Sequence, residues 1–460
     1  MAYENILKVR DDLVPFYFDS DADMKYSINS EVQKPIWLTG EELSLKDLRD
    51  RIEPWLTALF QSEHLSLLIG SGLSTAIQRV AANDPPDNGM GKPELPASCP
   101  HTDKIHASAT KSAKVTGRGE EGNIEDYLRV INDLLNGLAI LGKVATHKRL
   151  EKIYASLLST FALGISAGEN CIVNATEERR IKAFNVLVVF LMSFASRTGT
   201  RDRLNIFTTN YDRVIEAGAE VAGLHLLDRF IGNLAPIFRS SRLDIDMHYN
   251  PPGIRGEPRY LEGVVRFTKL HGSIDWVESG KEIRRIGLPF GAEDIAPYLK
   301  APGLQEADST KLMIYPNASK DRETAEYPYV ELFRDFAAAL CRPNSTLVTY
   351  GYGFGDDHIN RIIRDMLTIP STHLVVISFD DAQGRIMRAY TEMGRASQIS
   401  LMIGRGLANI ETLTDNFLPK PAIDRTTIRM SELLKQRYDI NKGEQSSEKN
   451  KDIEGGVAQE

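Results

Sequence analysis

The sequence predicts an α/β fold in which a parallel sheet carries helices on both faces. Short apolar runs of strand length recur along the chain, most of them are followed by a segment with helical periodicity, and several end in glycine or polar residues. Alternation of strands and helices favours a parallel sheet, because a crossover helix must return the chain to the same edge. One series of helical patterns without intervening strands interrupts the alternation, which predicts a helical insertion.

The first predicted elements follow from local signals. Residues 1–61 form an N-terminal extension that ends in a helix starting near Ser44, since Ser44 and Asp47 resemble a capping box with Asp in place of Glu. Residues 64–70 are short, apolar and stopped by glycine, as expected of a buried strand. Residues 82–123 are rich in Pro, Gly, Ser, Lys and Asp and lack periodicity, so we expect a long loop or lid.

The helical insertion is predicted over about residues 122–200. Helical patterns cover residues 124–138, 147–161 and 177–196. The longest apolar stretch, residues 184–195, is too short to cross a bilayer, so we expect it to be a buried core helix.

The alternation of strands and helices resumes after the insertion. Strands are predicted at residues 204–210, 265–272, 345–350, 373–379 and 399–403, and helices from Tyr211, near 357–367 and near 382–393. Residues 421–460 are expected to form a C-terminal helix and a disordered tail, because the chain beyond Tyr438 is polar and almost without large apolar residues.

Composition excludes several classes of function. A formal net charge of −8 gives no global attraction to DNA or to an acidic membrane, so nucleic-acid contact would be local or made through a partner. Cys99, Cys171 and Cys341 stand far apart without a C-x-x-C pair, which argues against a disulfide framework and against a zinc module. The N-terminus lacks the apolar region of a signal peptide, so we expect a cytoplasmic protein.

The segment Gly70-Ser71-Gly72-Leu73-Ser74 joins a predicted strand to a predicted helix. Glycines there allow the backbone to approach a pyrophosphate, and the N-terminus of a helix favours its negative charge. The hydroxyls of Ser71 and Ser74 add donors. The third glycine of the dinucleotide fingerprint is missing, and a strand-to-helix turn can use glycine for steric reasons alone, so both interpretations stay open.

Two further strand ends carry polar side chains. Thr208-Thr209-Asn210-Tyr211-Asp212 places an amide and a carboxylate where a parallel sheet faces a crevice, although these residues could simply cap the next helix. Lys269-Leu270-His271-Gly272-Ser273 brings an imidazole to a similar position. A lone histidine is more often structural than catalytic, so His271 is a candidate with two interpretations.

A fourth segment, residues 351–358 (GYGFGDDH), follows the strand STLVTY and places a glycine-rich loop before a helix. The loop could be a plain connection capped by Asp356. All four segments would line one crevice, because the carboxyl ends of parallel strands meet at the same edge of a sheet.

Together, GSGLS, FTTNYD, KLHGSIDW and GYGFGDDHINRII resemble the sirtuin-like family, specifically its bacterial NAD⁺-consuming branch found in antiphage defence. They are similar to the sirtuin-like subunits that pair with a HerA-type ATPase. The resemblance covers roughly residues 62–420 and includes residues 312–320 (LMIYPNASK) and 332–336 (LFRDF). It implies a Rossmann-like, NAD⁺-binding catalytic domain over residues 62–420.

The resemblance also implies roles for particular residues. Asn210 would orient the nicotinamide ribose and the attacking water, His271 would act as general base, and Asp212 would support the Asn210 turn. The pyrophosphate would be held by Gly70, Ser71, Gly72 and Ser74. The ribose and adenine side would be walled by Gly351, Gly353 and Phe354, with Ser378 near the adenine. Glu125 and Asp126 are further candidates for reaching the site.

The expected activity is hydrolysis of NAD⁺ to ADP-ribose and nicotinamide, with a cyclic product as a side route. Two departures disfavour deacylase chemistry: the zinc module is absent, and TAIQRV follows GSGLS where deacylases carry a different stretch. Two alternatives stay open, namely a non-catalytic sensor of NAD⁺ or ADP-ribose, and an NAD⁺-dependent protein deacylase or ADP-ribosyltransferase. A redox dehydrogenase is disfavoured, since no acidic residue sits clearly about 20 residues after the GSG turn on a second strand.

The resemblance further implies a homo-oligomer and a HerA-type ring ATPase partner. Nucleic acid would act only through that partner, and no membrane or metal is expected to take part. NAD⁺ depletion by abortive infection would be the biological outcome, with regulation through the 82–123 segment, the insertion or the N-terminal extension.

Overall fold

The computed structural model describes residues 3–21, 25–28, 34–40, 42–86, 90–116, 121–197, 202–240, 247–249, 259–304, 312–314 and 327–420. Contacts group the chain into one unit of residues 1–418 and a segment of residues 419–460, of which only Pro419 and Lys420 are described. The expected C-terminal helix and disordered tail, and most of the 312–320 segment, therefore lie outside the described residues.

The elements are numbered here in chain order. The strands are β1 (Tyr3–Lys8), β2 (Phe16–Ser20), β3 (Tyr26–Ser27), β4 (His64–Ile69), β5 (Asn205–Thr208), β6 (His225–Leu227), β7 (Phe230–Ile231), β8 (Ile237–Phe238), β9 (His248–Tyr249), β10 (Arg259–Tyr260), β11 (Val264–Lys269), β12 (Gly272–Ser279), β13 (Glu282–Arg285), β14 (Leu312–Ile314), β15 (Ser345–Tyr350), β16 (His373–Ser378) and β17 (Ile399–Ile403). The helices are α1 (Leu45–Phe60), α2 (Ser71–Ala81), α3 (Thr102–Thr116), α4 (Ile124–Ile140), α5 (Val144–Val173), α6 (Glu177–Ala195), α7 (Val214–Val221), α8 (Tyr329–Leu340), α9 (Asp357–Leu367), α10 (Arg385–Met393), α11 (Arg405–Ala408) and α12 (Ile410–Thr412).

The main sheet has the strand order β3-β2-β1-β17-β16-β15-β4-β5-β11-β6. Neighbouring strands from β17 to β6 run parallel, which confirms the predicted parallel sheet. β1 pairs antiparallel with β17 and β2, so residues expected to form an N-terminal extension add strands to the sheet. In the centre, Ile69 of β4 lies in register with Tyr350 of β15 and Thr208 of β5, which brings the loops after these strands together.

Helices cover both faces of the sheet, as predicted. Successive strand side chains point to opposite faces, and Leu67 and Leu68 accordingly join different apolar cores. One core includes buried residues of α1, α2, α6 and α7, whereas the other includes buried residues of α8, α9 and α10. The parallel strands therefore lie between two helical layers.

The predicted helical insertion is present as α4, α5 and α6, and α4 and α5 contribute to a third apolar core. The 184–195 stretch lies in α6 and buries Leu187, Phe190 and Phe194, which confirms a core helix. In the described part of the chain, α5 is long and apolar enough to cross a membrane by length and composition, but half of its apolar window is buried inside the protein.

The expectation of a loop or lid throughout residues 82–123 is wrong, because α3 lies within this segment. Its buried residues, Ile105, Ala109 and Ala113, recur every four positions, but two of them are alanines, so the apolar signal is weak. The 265–272 run also differs from the expectation, because it contains the end of β11 and the start of β12 with a turn between them.

A second sheet was not predicted. It has the order β14-β12-β13-β8-β7, and the chain enters it at Gly272, the first residue of β12, shortly after β11 of the main sheet ends at Lys269. β7 and β8 have two residues each, too few to show any periodicity.

At one side of the main sheet, His373 is held as a neutral ring. Ser400 Oγ accepts a hydrogen bond from Trp55 Nε1 at 3.0 Å, so its own hydrogen is available for His373 Nε2 at 2.9 Å. Trp55 also packs edge-on against the imidazole, with 5.5 Å between ring centroids. Burial, together with the charge of Lys8, lowers the pKa of His373 to about 4.

We expect this histidine to destabilise the folded chain in mild acid. Between about pH 6.5 and the folded-state pKa of about 4, the unfolded chain binds a proton that the folded ring does not, so stability falls as pH falls through this window. The loss is at most about 3 kcal/mol. His373→Gln should remove that part of the pH dependence, measured as the free energy of unfolding at pH 7 and pH 5. If the free energy of unfolding fell equally from pH 7 to pH 5 in the variant and in the natural chain, this assignment would be contradicted.

Candidate functional site

A cavity of about 710 Å³ opens at the carboxyl edge of the parallel strands. The residues after β4, β5, β15 and β16 meet there with the first turns of α2 and α10. Most of the residues predicted for the site line this one cavity: Gly70, Ser71, Gly72, Ser74, Glu125, Asn210, Asp212, His271, Gly351, Gly353 and Ser378. Phe354 and Asp126 are not among its lining residues.

The loops after β4 and β15 touch backbone to backbone. The N–H groups of Gly70 and Gly72 donate to the carbonyls of Tyr350 and Gly351, at 3.0 and 3.1 Å. A Cβ on Gly70 would lie 2.4 Å from the Gly351 oxygen, and a Cβ on Gly72 would lie 2.5 Å from the Gly351 Cα. Gly351 itself has a φ of +61°, which disfavours other residues. The glycines thus have a steric role, and the N–H groups of Gly70 and Gly72 are engaged within the protein.

Asn210 is fixed by a chain of side-chain hydrogen bonds. Its Nδ2 donates to the Gly70 carbonyl and to Ser74 Oγ, each at 3.0 Å, and Ser74 Oγ donates to Asp212 at 2.7 Å. The Gly70 carbonyl can only accept, which sets which end of the amide faces it. Asp212 also accepts from the N–H of Val214, the first residue of α7, although the N-cap position itself is Arg213.

The other end of the Asn210 amide is buried without a partner. The residue is only 5% exposed, and within the described residues its Oδ1 atom has no hydrogen bond. A buried acceptor left unpaired costs roughly 1–3 kcal/mol. A ligand or water in the cavity that donates to this oxygen would remove that cost.

Two buried ion pairs hold the turn that carries Asn210. Lys269 Nζ donates to the Asp212 carbonyl and pairs with Glu216 at 2.9 Å. Arg213 pairs with Glu169 of α5, with 3.1 Å between Nε and Oε1. The backbone N–H of Arg213 donates to the same carboxylate oxygen at 2.7 Å. Burial alone would lower the pKa of Arg213, but the Glu169 carboxylate outweighs it and raises the pKa.

His271 lies against a second histidine. The ring is 8% exposed, and its Nε2 is 3.4 Å from Nε2 of His358, at the start of α9. One of these two nitrogens must carry the hydrogen and the other the lone pair if they are bonded. Phe333 packs edge-on against His358, with centroids 4.7 Å apart. His358 lies in the GYGFGDDH segment, and no role for it was predicted from the sequence.

The helical insertion contributes one carboxylate to the cavity. Tyr211 donates its hydroxyl to Glu125 of α4 at 2.7 Å, and burial, reinforced by the charge of Glu125, raises the pKa of Tyr211 well above its usual value. Asp126 points elsewhere, because it forms a capping box with Asn123 and accepts from Ser112 at 2.8 Å. Of the two acidic candidates in the insertion, only Glu125 reaches the cavity.

Phe354 is buried beside Tyr352, with 4.9 Å between ring centroids, and its carbonyl accepts from Asn360 at 2.9 Å. Tyr352 lines the cavity in its place. Further lining residues were not predicted from the sequence: Arg79, Asp356, Phe379, Asp380, Arg385, Asn409 and Glu411. Asp356 belongs to the GYGFGDDH segment, whereas the others lie on loops and near helix ends without a recognisable sequence pattern.

Within the described residues, no group of three or more His, Cys, Asp or Glu side chains is placed to hold a metal ion. The three cysteines are free thiols, and only Cys99 is buried.

The contact between the two glycine loops predicts a large difference between two alanine substitutions. Gly72→Ala forces backbone atoms apart and should lower the free energy of unfolding by about 1–3 kcal/mol. Gly137→Ala is the matched control, because Gly137 lies inside α4 with open space around it, and should raise stability by about 0.5–1 kcal/mol. Chemical denaturation measures both. A Gly72→Ala chain as stable as the natural one would contradict the close contact.

Comparison with known proteins gives one family. No curated protein matches the chain. One segment of the chain matches a family model; it runs from the start of the β5 region to just beyond α10 and contains Asn210, His271 and Gly353. The match covers residues 204–395 and the model is that of a SIR2-like domain, which supports a sirtuin-like family and the use of NAD⁺.

Proposed function

We propose that the protein is an NAD⁺ hydrolase that cleaves the nicotinamide–ribose bond to give ADP-ribose and nicotinamide. The observation that carries this proposal is the buried Asn210 amide, whose oxygen has no partner within the described residues and which lies in one cavity with His271. The SIR2-like match over the same residues supports NAD⁺ as the ligand.

The reaction needs little from the protein at the leaving group. Cleavage neutralises the pyridinium charge of nicotinamide, so no acid has to protonate it, and the sugar passes through an oxocarbenium-like state. Negative charge near that sugar lowers the barrier. Glu125 and Asp356 line the cavity, and both carboxylates act electrostatically on Tyr211, next to Asn210.

Water is the second reactant, and two site residues act on it: one orients it and the other takes its proton. Asn210 Oδ1 accepts a hydrogen bond from the attacking water or from a ribose hydroxyl, which fixes the direction of attack. His271 takes the proton as water adds to the anomeric carbon. General-base catalysis of this kind typically contributes about 10²–10⁴-fold.

The remaining assignments follow the resemblance. The start of α2, with Gly70, Ser71 and Gly72, lies beside the diphosphate, and Gly351, Gly353 and Ser378 lie on the ribose and adenine side. Ser74 donates its hydrogen to Asp212, so its role is to orient Asn210.

The same resemblance also suggests a biological role and a partner for the protein. The protein acts as a cytoplasmic homo-oligomer in antiphage defence, and a HerA-type ATPase controls NAD⁺ depletion. Nicotinamide release by the chain alone, compared with release in the presence of that ATPase, tests this part.

The central test is turnover of NAD⁺ by the purified chain. Asn210→Ala and His271→Ala should each lower kcat by about 10²–10⁴-fold, measured as nicotinamide released. Asn174→Ala and His225→Ala are matched controls, because both side chains are exposed and line no part of the cavity; they should leave turnover unchanged.

Undiminished activity in both site variants would remove the assignment. NAD⁺ binding without turnover, with and without the ATPase, would favour the sensor alternative. Label from NAD⁺ appearing on a protein would favour transfer.

A further inference from the structure

A dinucleotide brings a diphosphate with two negative charges, and the cavity must compensate them. Its charged lining residues are mostly acidic: Glu125, Asp212, Asp356, Asp380 and Glu411 oppose Arg79 and Arg385. The N–H groups of Gly70 and Gly72 are already engaged by backbone carbonyls. Among the charged side chains that line the cavity, Arg79 and Arg385 are therefore the ones that can compensate the diphosphate.

Arg385 is positioned for this by a glycine. A Cβ on Gly353 would lie 3.1 Å from Arg385 Nη2, so the missing side chain leaves room for the guanidinium. Gly353 is two residues after Gly351, whose backbone contacts Gly72 at the start of α2. Arg385 thus lies next to the glycine-rich loop after β15, which contacts the start of α2.

Arg79 is a weaker candidate for the same task. It is exposed, and its guanidinium lies over the ring of Phe379, 6.0 Å from the centroid. Arg385 is partly buried at the first position of α10, where its backbone is set by the helix.

We propose that Arg385 binds the diphosphate of the ligand and makes the site selective for nucleotides that contain one. This inference rests on the proposed function and deepens it. The planar fork of the guanidinium suits two phosphate oxygens at once, which an ammonium group does not match. Gly353, beside the ribose, then also leaves room for the guanidinium of Arg385.

Binding of ADP-ribose and of adenosine separates this role from catalysis. Calorimetry should give ADP-ribose an affinity for Arg385→Met roughly 10- to 100-fold weaker than for the natural chain. Adenosine has no phosphate, and its binding, followed by ligand-observed NMR, should be the same in both. Arg388→Met is the matched control, since Arg388 lies exposed on the same helix and does not line the cavity.

Two further variants guard against a folding defect. Arg385→Lys keeps the charge but loses the fork, and should weaken ADP-ribose binding by an intermediate factor. Gly353→Ala crowds the guanidinium and should weaken ADP-ribose binding to a smaller extent in the same direction, with Arg385 still present.

The outcomes separate this inference from the proposed function. Equal ADP-ribose affinity in the natural chain, Arg385→Met and Arg385→Lys would overturn the role of Arg385 and leave NAD⁺ binding intact. Equal loss of adenosine and ADP-ribose binding in Arg385→Met would also overturn it, because the effect would not depend on the diphosphate. A natural chain that binds neither ADP-ribose nor NAD⁺ would overturn both proposals.

Discussion

The close backbone contact between the loops after β4 and β15 is the constraint on which the site depends. Gly70 and Gly72 continue the pairing of these two strands beyond their ends, with hydrogen bonds to Tyr350 and Gly351. Because no side chain fits between the loops, their separation is set by main-chain atoms alone. The start of α2, and with it Ser74, is therefore placed by the sheet itself.

The fixed position of Ser74 in turn orients the side chain of Asn210. Ser74 and the Gly70 carbonyl hold the nitrogen end of the amide, while Asp212 orients Ser74. Buried charges usually cost free energy even when paired, so the Lys269–Glu216 and Arg213–Glu169 pairs are poor devices for stability alone. Both pairs hold the turn around Asp212, and a fixed geometry there is what the proposed reaction would need.

The sequence allowed much of this to be predicted, for physical reasons. Strands such as β4 and β15 have apolar runs of strand length and end in glycine, and the carboxyl ends of parallel strands must meet, so Asn210 and His271 could be assigned to one crevice. Other features depend on distant contacts without a local signal. The pairing of His271 with His358 spans 87 positions, and the placement of Arg385 depends on space left by Gly353. The ring of Phe354 is buried against that of Tyr352, a contact within the loop that periodicity does not report.

The inserted helices α4 and α5 contact the turn that carries Asn210. Glu125 of α4 accepts from Tyr211, and Glu169 of α5 neutralises Arg213, two residues further along the chain. Excising these helices would leave the Arg213 guanidinium without its carboxylate partner and the Tyr211 hydroxyl without Glu125 as its acceptor. The turn that carries Asn210 is therefore coupled to the inserted helices: a tilt of α4 or α5 would shift Tyr211 or Arg213, which lie close to Asn210 in the chain, without first moving the loops after β4 and β15.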